Sequence, residues 1–251
     1  MFRPRIIPVL LLSNGGLVKS VRFKNHRYIG DPINAVRIFN ELEADELVFL
    51  DIDATREGRL ISLDFVRDVG EEAAMPFSVG GGIATLEDIR AIINAGAEKA
   101  IIGSQAARDA DFVRAAADEF GSSTIVVCID VKRSYFKGQR VWSVNGTRPS
   151  GYTPVEYSEL MAGNGAGELI IQSIDRDGAM KGYDIDLVRS IATAVDVPVI
   201  GLGGAGRPSD LTAAYTSGHA NALAAGSLFV YKGNNRGVLI NYPAKGELMF
   251  D

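Results

Sequence analysis

Three kinds of residue in this sequence are equipped for chemistry: glycines able to hold anions, carboxylates placed to move protons, and one lysine. Gly80-Gly81-Gly82 and Gly103-Ser104 fall in the first half of the chain, and Gly203-Gly204-Ala205-Gly206 and Gly226-Ser227 in the second. Bare backbone amides at a loop that leads into a helix cradle an anion, and a serine hydroxyl adds a donor. Gly81, Gly82 and Ser104 therefore read as one phosphate cup, and Gly203, Gly204, Gly226 and Ser227 as a second. Two cups imply a small-molecule ligand with a phosphate at each end; the plainer alternative is that the glycines only permit tight turns. Asp130 closes an apolar run, Asp175-Arg176-Asp177-Gly178 follows another, and Asp51 and Asp53 close a third. A carboxylate in such a place can serve as general acid or base, or can hold loop amides. Lys19, in a long polar segment, is placed to close over a phosphate, although most loop lysines face solvent. His26, in a loop, and His219, at a helix end, have no ligand-type neighbours, so no metal site is expected. There is no dinucleotide fingerprint and no nucleophile elbow, and no cofactor is expected.

Elements that would position these residues alternate along the whole chain. Short β-branched runs predict strands at Ile6–Leu11, Leu47–Asp53, Pro76–Val79, Lys99–Ile102, Thr124–Asp130, Leu169–Ser173, Pro198–Leu202 and Ala222–Ala225. They are continuous apolar runs rather than alternating ones, as parallel strands covered on both faces require. Helix starts are signalled by Asp31-Pro32, by Thr85-Leu86-Glu87-Asp88 and by the capping box Thr153-Pro154-Val155-Glu156, and helix ends by Gly96 and Gly218. Two connections are long, Leu12–Gly30 and Val131–Gly151, and long connections in compact domains are often lids or binding loops.

The chain also repeats itself. Shifted by 122 residues, Leu47–Ile102 lies on Leu169–Ala224 without a gap, matching Glu46 to Glu168, Gly81-Gly82 to Gly203-Gly204 and Gly96 to Gly218. A slightly shorter shift lays Ile6–Leu11 on Ile125–Asp130, so that Asp130 is matched by Leu11. Eight βα units in two matched halves predict an α/β fold, one single-domain (β/α)8 TIM barrel over residues 1–251, with half-barrels of about 1–122 and 123–251. A doubly wound sheet would not need matched halves. The cups, Asp130 and both long connections then belong at the C-terminal rim of the strands, where barrel active sites lie. Arg5, Glu46, Lys99 and Glu168 stand at strand starts, at the opposite end. They read either as ordinary stability residues or as a closed ring of two cations and two anions that plugs, or gates, the central passage.

Bulk composition limits the partners. With 251 residues, 47% of them apolar, the chain can bury a sizeable core. A net charge of −5 with no basic run argues against a general affinity for nucleic acid or an anionic membrane. The lone Cys128, inside Val-Val-Cys-Ile-Asp, reads as a small buried apolar residue. The absence of a disulfide framework suits a reducing cytoplasm. The N-terminal Met1-Phe2-Arg3-Pro4-Arg5 and the apolar run behind it are too short to span a membrane and carry no cleavage signal, so they read as a buried strand.

Several segments together resemble a known family. Arg5-Ile6-Ile7-Pro8, Gly30-Asp31-Pro32, Asp45-Glu46-Leu47-Val48-Phe49-Leu50-Asp51, Val79-Gly80-Gly81-Gly82-Ile83, Asp175-Arg176-Asp177-Gly178 and Gly203-Gly204-Ala205-Gly206 are similar, over essentially the whole length, to HisF, the cyclase subunit of imidazole glycerol phosphate synthase. That resemblance implies a barrel that pairs with a glutaminase (HisH-like) at its bottom, receives ammonia through its core, and splits and cyclises a bis-phosphorylated nucleotide. It implies that Asp130 is one member of a catalytic acid/base pair, that Lys19 is a lid contact to phosphate, and that Arg5, Glu46, Lys99 and Glu168 are an ammonia gate. It places Glu98 where the family has an acid facing the glutaminase. The chain departs from the pattern at Leu11, where the second catalytic acid belongs and where leucine can neither donate nor accept a proton. Gly103 also replaces an asparagine, and Ser104 a threonine.

Leu10-Leu11-Leu12 with Asn14-Gly15-Gly16-Leu17-Val18-Lys19, the segment Tyr28–Ala35, and Val238-Leu239-Ile240-Asn241-Tyr242-Pro243 are similar to the WbuZ, or glycosyl amidation-associated, branch. That branch implies a third partner, an ATP-dependent amidotransferase making acetamidino sugars for surface polysaccharides. The expected role is therefore a subunit that channels ammonia with little or no cyclase activity of its own. The alternatives are a true lyase/cyclase of histidine biosynthesis and, more distantly, a phosphoribosyl isomerase, which uses carboxylates at both matched positions.

Overall fold

Eight of the apolar runs become parallel strands that close on themselves: β1 (Arg5–Ser13), β2 (Leu47–Asp51), β3 (Phe77–Gly80), β4 (Lys99–Ile102), β5 (Ile125–Ser134), β6 (Glu168–Ser173), β7 (Val199–Leu202) and β8 (Ala222–Ala225). Each pairs with the next, and β1 pairs with β8, with Arg5 opposite Ala222, to complete the circle. Helices lie between the strands, so the fold is a (β/α)8 TIM barrel. Among the described residues the last unit carries only the four-residue helix Ser227–Val230. The computed structural model describes residues 3–134, 137–233, 235–244, 246–248 and 250. Met1-Phe2 of the N-terminal run and Tyr135-Phe136 of the second long connection lie outside them.

The closed sheet divides its apolar side chains in two. Ile6, Leu10, Leu47, Phe49, Val127, Ile129, Leu169 and Ile171 join the large core beneath the helices. Their neighbours Ile7, Val9, Val48, Ile101, Val126, Ile170 and Ile200 form a separate inner cluster, with Leu11, Leu50 and Cys128 packed against it. This is the period-two alternation of any strand, hidden in the sequence because both faces are apolar. It has a functional consequence: Arg5, Glu46, Lys99, Asp130, Glu168 and Gln172 all share the parity of the inner cluster.

Helix starts match the local signals. Asp31 accepts from the Asn34 amide at 2.8 Å ahead of Pro32, and Thr85 and Thr153 each form a capping box, with Asp88 and Glu156. Gly96 follows its helix with φ of 112°, a conformation that suits glycine. Gly218, its counterpart in the repeat, is needed for a different reason, because a Cβ there would meet the Ala214 carbonyl at 2.6 Å.

The two long connections are not loops. β1 and β5 run on past the expected ends, and each turns back as a β-hairpin. Gly16–Val21 pairs antiparallel with β1 through Leu11–Val18, Leu12–Leu17 and Ser13–Gly16, and Lys24–Gly30 pairs with Gly16–Val21. Gly138–Ser143 pairs with β5, and Arg148–Pro149 returns beside it. The missed signal was Asn-Gly: Asn14-Gly15 (φ 48° and 76°) and Asn145-Gly146 (φ 54° and 69°) occupy the left-handed turn positions that this dipeptide favours in hairpins.

A deep cavity at the barrel mouth

The C-terminal rim surrounds one cavity. Leu11, Asp130, Lys19, Asp177, Gln172 and Trp142 line it together with both glycine cups. The structure thus brings the candidate cup residues, Asp130 and Lys19 to a single place: Asp130 and Lys19 stand within strands, and the cup residues directly follow the ends of β3, β4, β7 and β8. Leu11 and Asp130 face this same cavity from matched strands of the two half-barrels, and Leu11 contributes only hydrocarbon.

Asp130 is half-buried, with the buried strand residues Ile129 and Val131 on either side of it. Loss of water, and then the negative charge of Asp177, raise its pKa from 3.8 to about 7. A carboxyl poised near neutrality can both take and give a proton at physiological pH. Cys128 stands two residues earlier on the inward face of β5, its thiol 3.9 Å from Asp130 Oδ1. It is half-buried and lines the cavity, where the run around it suggested a buried apolar residue. Desolvation and Asp130 hold that thiol well above its usual pKa, so the thiolate is disfavoured.

Lys19 differs most from expectation. It sits in the hairpin strand Gly16–Val21, is 5% exposed, and its Nζ donates to the Val9 carbonyl at 2.5 Å. The ammonium rests against Gly226, where any Cβ would collide with it. Burial lowers its pKa to about 8, opposed by the nearby Asp177 charge. The cation therefore belongs to the second cup, the one built by the β7 and β8 ends.

Asp177 is occupied as a latch. Its carboxylate accepts from Ser20 Oγ at 2.7 Å and from the Phe23 amide at 3.3 Å, and its carbonyl accepts from the Arg22 amide at 3.0 Å. Arg22 and Phe23 both have left-handed backbones, φ 55° and 60°, which cost energy for residues with a Cβ, and these bonds offset that strain. Gly178 fits because a side chain there would strike the Ser20 carbonyl. Across the mouth, the second hairpin is held by the Val144 amide donating to Ser104 Oγ at 3.1 Å and by Asn145 Nδ2 donating to the Ile52 carbonyl at 2.6 Å.

The cup glycines are needed for backbone approach. Gly81 (φ 134°) leaves 2.7 Å between a notional Cβ and Asp51 Cβ, and Gly203 (φ 95°) leaves 2.8 Å to the Ser173 carbonyl. Asp51 and Asp53 take the plainer of their two readings. Asp51 accepts from the Asp53 and Ala54 amides at 3.0 and 3.1 Å and from Arg59 at 2.6 Å, while Asp53 pairs with Ser13 and Arg56. His26 stands in the strand Lys24–Gly30, not in a loop. No group of three or more potential metal ligands occurs among the described residues.

Trp142 and Gln172 also line the cavity, and composition alone would not single them out. Register places them: Asp130 is opposite Trp142 on one side and Gln172 on the other.

At the opposite end the four strand-start charges meet inside the barrel. Arg5 reaches Glu46 at 2.5 Å and Glu168 at 2.6 Å, and Lys99 lies 3.1 Å from Glu168 and 3.7 Å from Glu46. Ser78 Oγ adds a hydrogen bond to Glu46 at 2.9 Å. The ring is closed, and the apolar inner cluster separates it from the cavity. Glu98 lies exposed beside it.

Residues 5–235 match the family model described as "Histidine biosynthesis protein". A protein of Pseudomonas aeruginosa, provisionally named imidazole glycerol phosphate synthase subunit hisF2, is 47% identical over 248 residues and covers 99% of each chain. A Leptospira interrogans protein with the corresponding provisional name HisF is 45% identical over 244 residues, 97% of this chain and 96% of its own. A Vibrio vulnificus protein provisionally named subunit hisF3 is 42% identical over 248 residues, covering 98% and 95%. No helix among the described residues is long and apolar enough to cross a membrane.

Proposed function

The chain belongs to the histidine biosynthesis protein family, on its HisF side, and from that premise we propose that it is the barrel subunit of a glutamine amidotransferase complex. It takes ammonia from a HisH-like glutaminase docked at the strand starts and passes it up the barrel axis. The observation that carries this reading is Leu11, which faces the same cavity as Asp130 from the matched strand and offers no proton. An acid/base pair is reduced to one acid, while the ion ring below it has all four members. Neutral ammonia can move among Ile7, Val9, Val48 and Val126, where an ammonium ion would lose its hydration without compensation. Exposed Glu98 at the same end suits a partner contact.

The nitrogen is then destined for a sugar. An ATP-dependent sugar amidotransferase forms the acetamidino group, in the synthesis of a surface polysaccharide, and this barrel supplies it. Support for that step comes from the Leu10–Lys19, Tyr28–Ala35 and Val238–Pro243 segments.

A second reading has its own observation. Both cups and a carboxyl poised near neutrality would serve a genuine imidazole glycerol phosphate synthase cyclase of histidine biosynthesis. One assay separates the two: purified protein, ammonia and the bis-phosphorylated nucleotide intermediate, alongside Leu11→Asp. The channelling reading expects no appreciable turnover by the natural chain and a gain on Leu11→Asp. Robust turnover by the natural chain would sink it in favour of the cyclase.

A further inference from the structure

The hairpins that extend β1 and β5 differ from the rest of the chain in charge. Leu12–Gly30 and Val131–Gly151 hold nine of its 26 lysines and arginines and none of its 31 aspartates and glutamates. The whole chain carries −5, so every acid, and the entire negative excess, belongs to the remainder. The two hairpins also meet. Gly146 of the second stands so near Phe23 of the first that a Cβ on the glycine would lie 3.5 Å from the ring. Both hairpins line the same cavity, so they cross its mouth as one cationic crown.

Most of this charge lies outside the cavity. Arg22, Lys24, Arg27, Arg133, Lys137 and Arg148 are exposed, and none of the six is among the lining residues, where Lys19 is the only lysine or arginine. None of the six forms an ion pair with a carboxylate among the described residues. Arg67, Arg90 and Arg114, on the outer helices, all do. Two exposed tyrosines stand with the crown. Tyr28 (66% exposed) is on the first hairpin, and Tyr152 (42%) is at the foot of the second, its carbonyl accepting from the Val141 amide at 3.1 Å.

Like charges gathered without partners repel one another, and an opposing acidic surface removes that cost. A small anion in the cavity does not account for the six cations, because none of them lines the space it would fill. A nucleic acid or an anionic bilayer would extend past the crown onto the acidic remainder, which repels it. Arginine and tyrosine on one compact surface are what protein interfaces concentrate.

We propose that the crown is a docking surface for an acidic face of another protein, the enzyme that consumes the ammonia. This rests on the reading of the chain as an ammonia-delivering subunit, and adds where the recipient sits and what charge it presents. Ammonia leaving an uncovered mouth would take a proton from water and be lost as ammonium. Its recipient therefore has to close over the rim that the hairpins form.

The test is binding to the ATP-dependent sugar amidotransferase of the same organism, followed by biolayer interferometry with the glutaminase present, at about 50 and about 300 mM salt. Association should be at least tenfold faster at the lower salt, and the triple variant Lys24→Glu, Arg27→Glu, Arg148→Glu should slow it by roughly tenfold or more and remove the salt dependence. Arg67→Glu, Arg90→Glu, Arg114→Glu makes the same change of charge on the helices and should leave the rate within about twofold. Tyr28→Ala should speed dissociation. Should the reversed crown not fold, Lys24→Gln, Arg27→Gln, Arg148→Gln neutralises it and should slow association in the same direction.

A crown variant that does not slow association, or helix variants that slow it equally, overturns the docking site and leaves the ammonia-delivery reading standing. Tighter, crown-dependent binding of a single-stranded DNA oligomer or of phosphatidylserine vesicles also overturns it, in favour of a nucleic acid or a bilayer. If the natural proteins do not associate at either salt, the recipient reading fails and the inference fails with it.

Discussion

The ammonium of Lys19 donates to the Val9 carbonyl from inside a paired strand, 5% exposed, with Gly226 against it. A cation held this way sits in the second cup before any anion arrives, and it is poorly hydrated. Its lowered pKa of about 8 makes anion binding depend on pH.

Affinity for ribose 5-phosphate should be level near pH 7 and weaken above about pH 8, by up to tenfold per unit, as Lys19 loses its proton. Lys19→Met should remove this slope and weaken binding at pH 7 by roughly tenfold or more, since a hydrogen bond to a charged group contributes about 1.5–3 kcal/mol. Calorimetric titration from pH 7 to 9.5 checks both. A natural chain with no slope would show that Lys19 is not in contact with the anion.

Asp130 makes folding itself sensitive to pH. Its folded pKa of about 7 lies above the ordinary 3.8, so between those values the folded protein binds the extra proton. Its contribution to stability is full below about pH 4 and is lost as pH rises through 7, at up to about 1.4 kcal/mol per unit. Asp130→Asn should remove that component, and urea unfolding at pH 5, 6 and 7 should show a shallower decline in the variant. Parallel curves for the two proteins would contradict the burial argument.

The ion ring should be worth more to stability than a surface pair. Glu46 has a side chain 4% exposed and leans on Arg5, Lys99 and Ser78. Arg5→Met leaves Glu46 and Glu168 sharing Lys99 alone. Breaking a buried pair by removing one partner typically costs 3–5 kcal/mol, and the partly exposed Arg5 argues for the lower value, about 3 kcal/mol. For a chain of this size that lowers Tm by roughly 6–12 °C. Arg5→Lys should recover part of the loss, lacking the two-pronged fork. A Tm within 1 °C of the natural chain would show that the ring contributes nothing to folding.

Two glycines of the first cup should respond to very different extents. Gly82 has φ 74°, and a Cβ there would collide with the Arg59 carbonyl. Gly103 has φ −116° and open space around it. Gly82→Ala should destabilise by more than about 2 kcal/mol, and Gly103→Ala, at a helix N-cap, by less than about 1 kcal/mol. Urea unfolding midpoints of the two variants test the difference, and equal effects would contradict it.

Much was already determined by the chain. Eight apolar runs, their caps and the 122-residue repeat specify the barrel, because periodicity and helix starts are local and a repeated half must pack as its twin does. Gly81, Gly82, Gly203 and Gly204 marked the rim because no other residue fits those backbones. Leu11 was legible as a broken match to Asp130.

Tertiary structure alone decided the rest. The strand runs hide which face is inward, since both faces are apolar, and only closure of the sheet assigns Asp130 and Cys128 to the cavity and Ile129 to the outer core. Two presumed loops became hairpins through pairing with β1 and β5, which buried Lys19. The Trp142–Asp130–Gln172 row exists only through register between strands distant in sequence, and the Arg5–Glu46–Lys99–Glu168 ring only because four strand starts converge on one axis. Such contacts are set by which strands pair and in what register, and that is a property of the closed sheet rather than of any one segment.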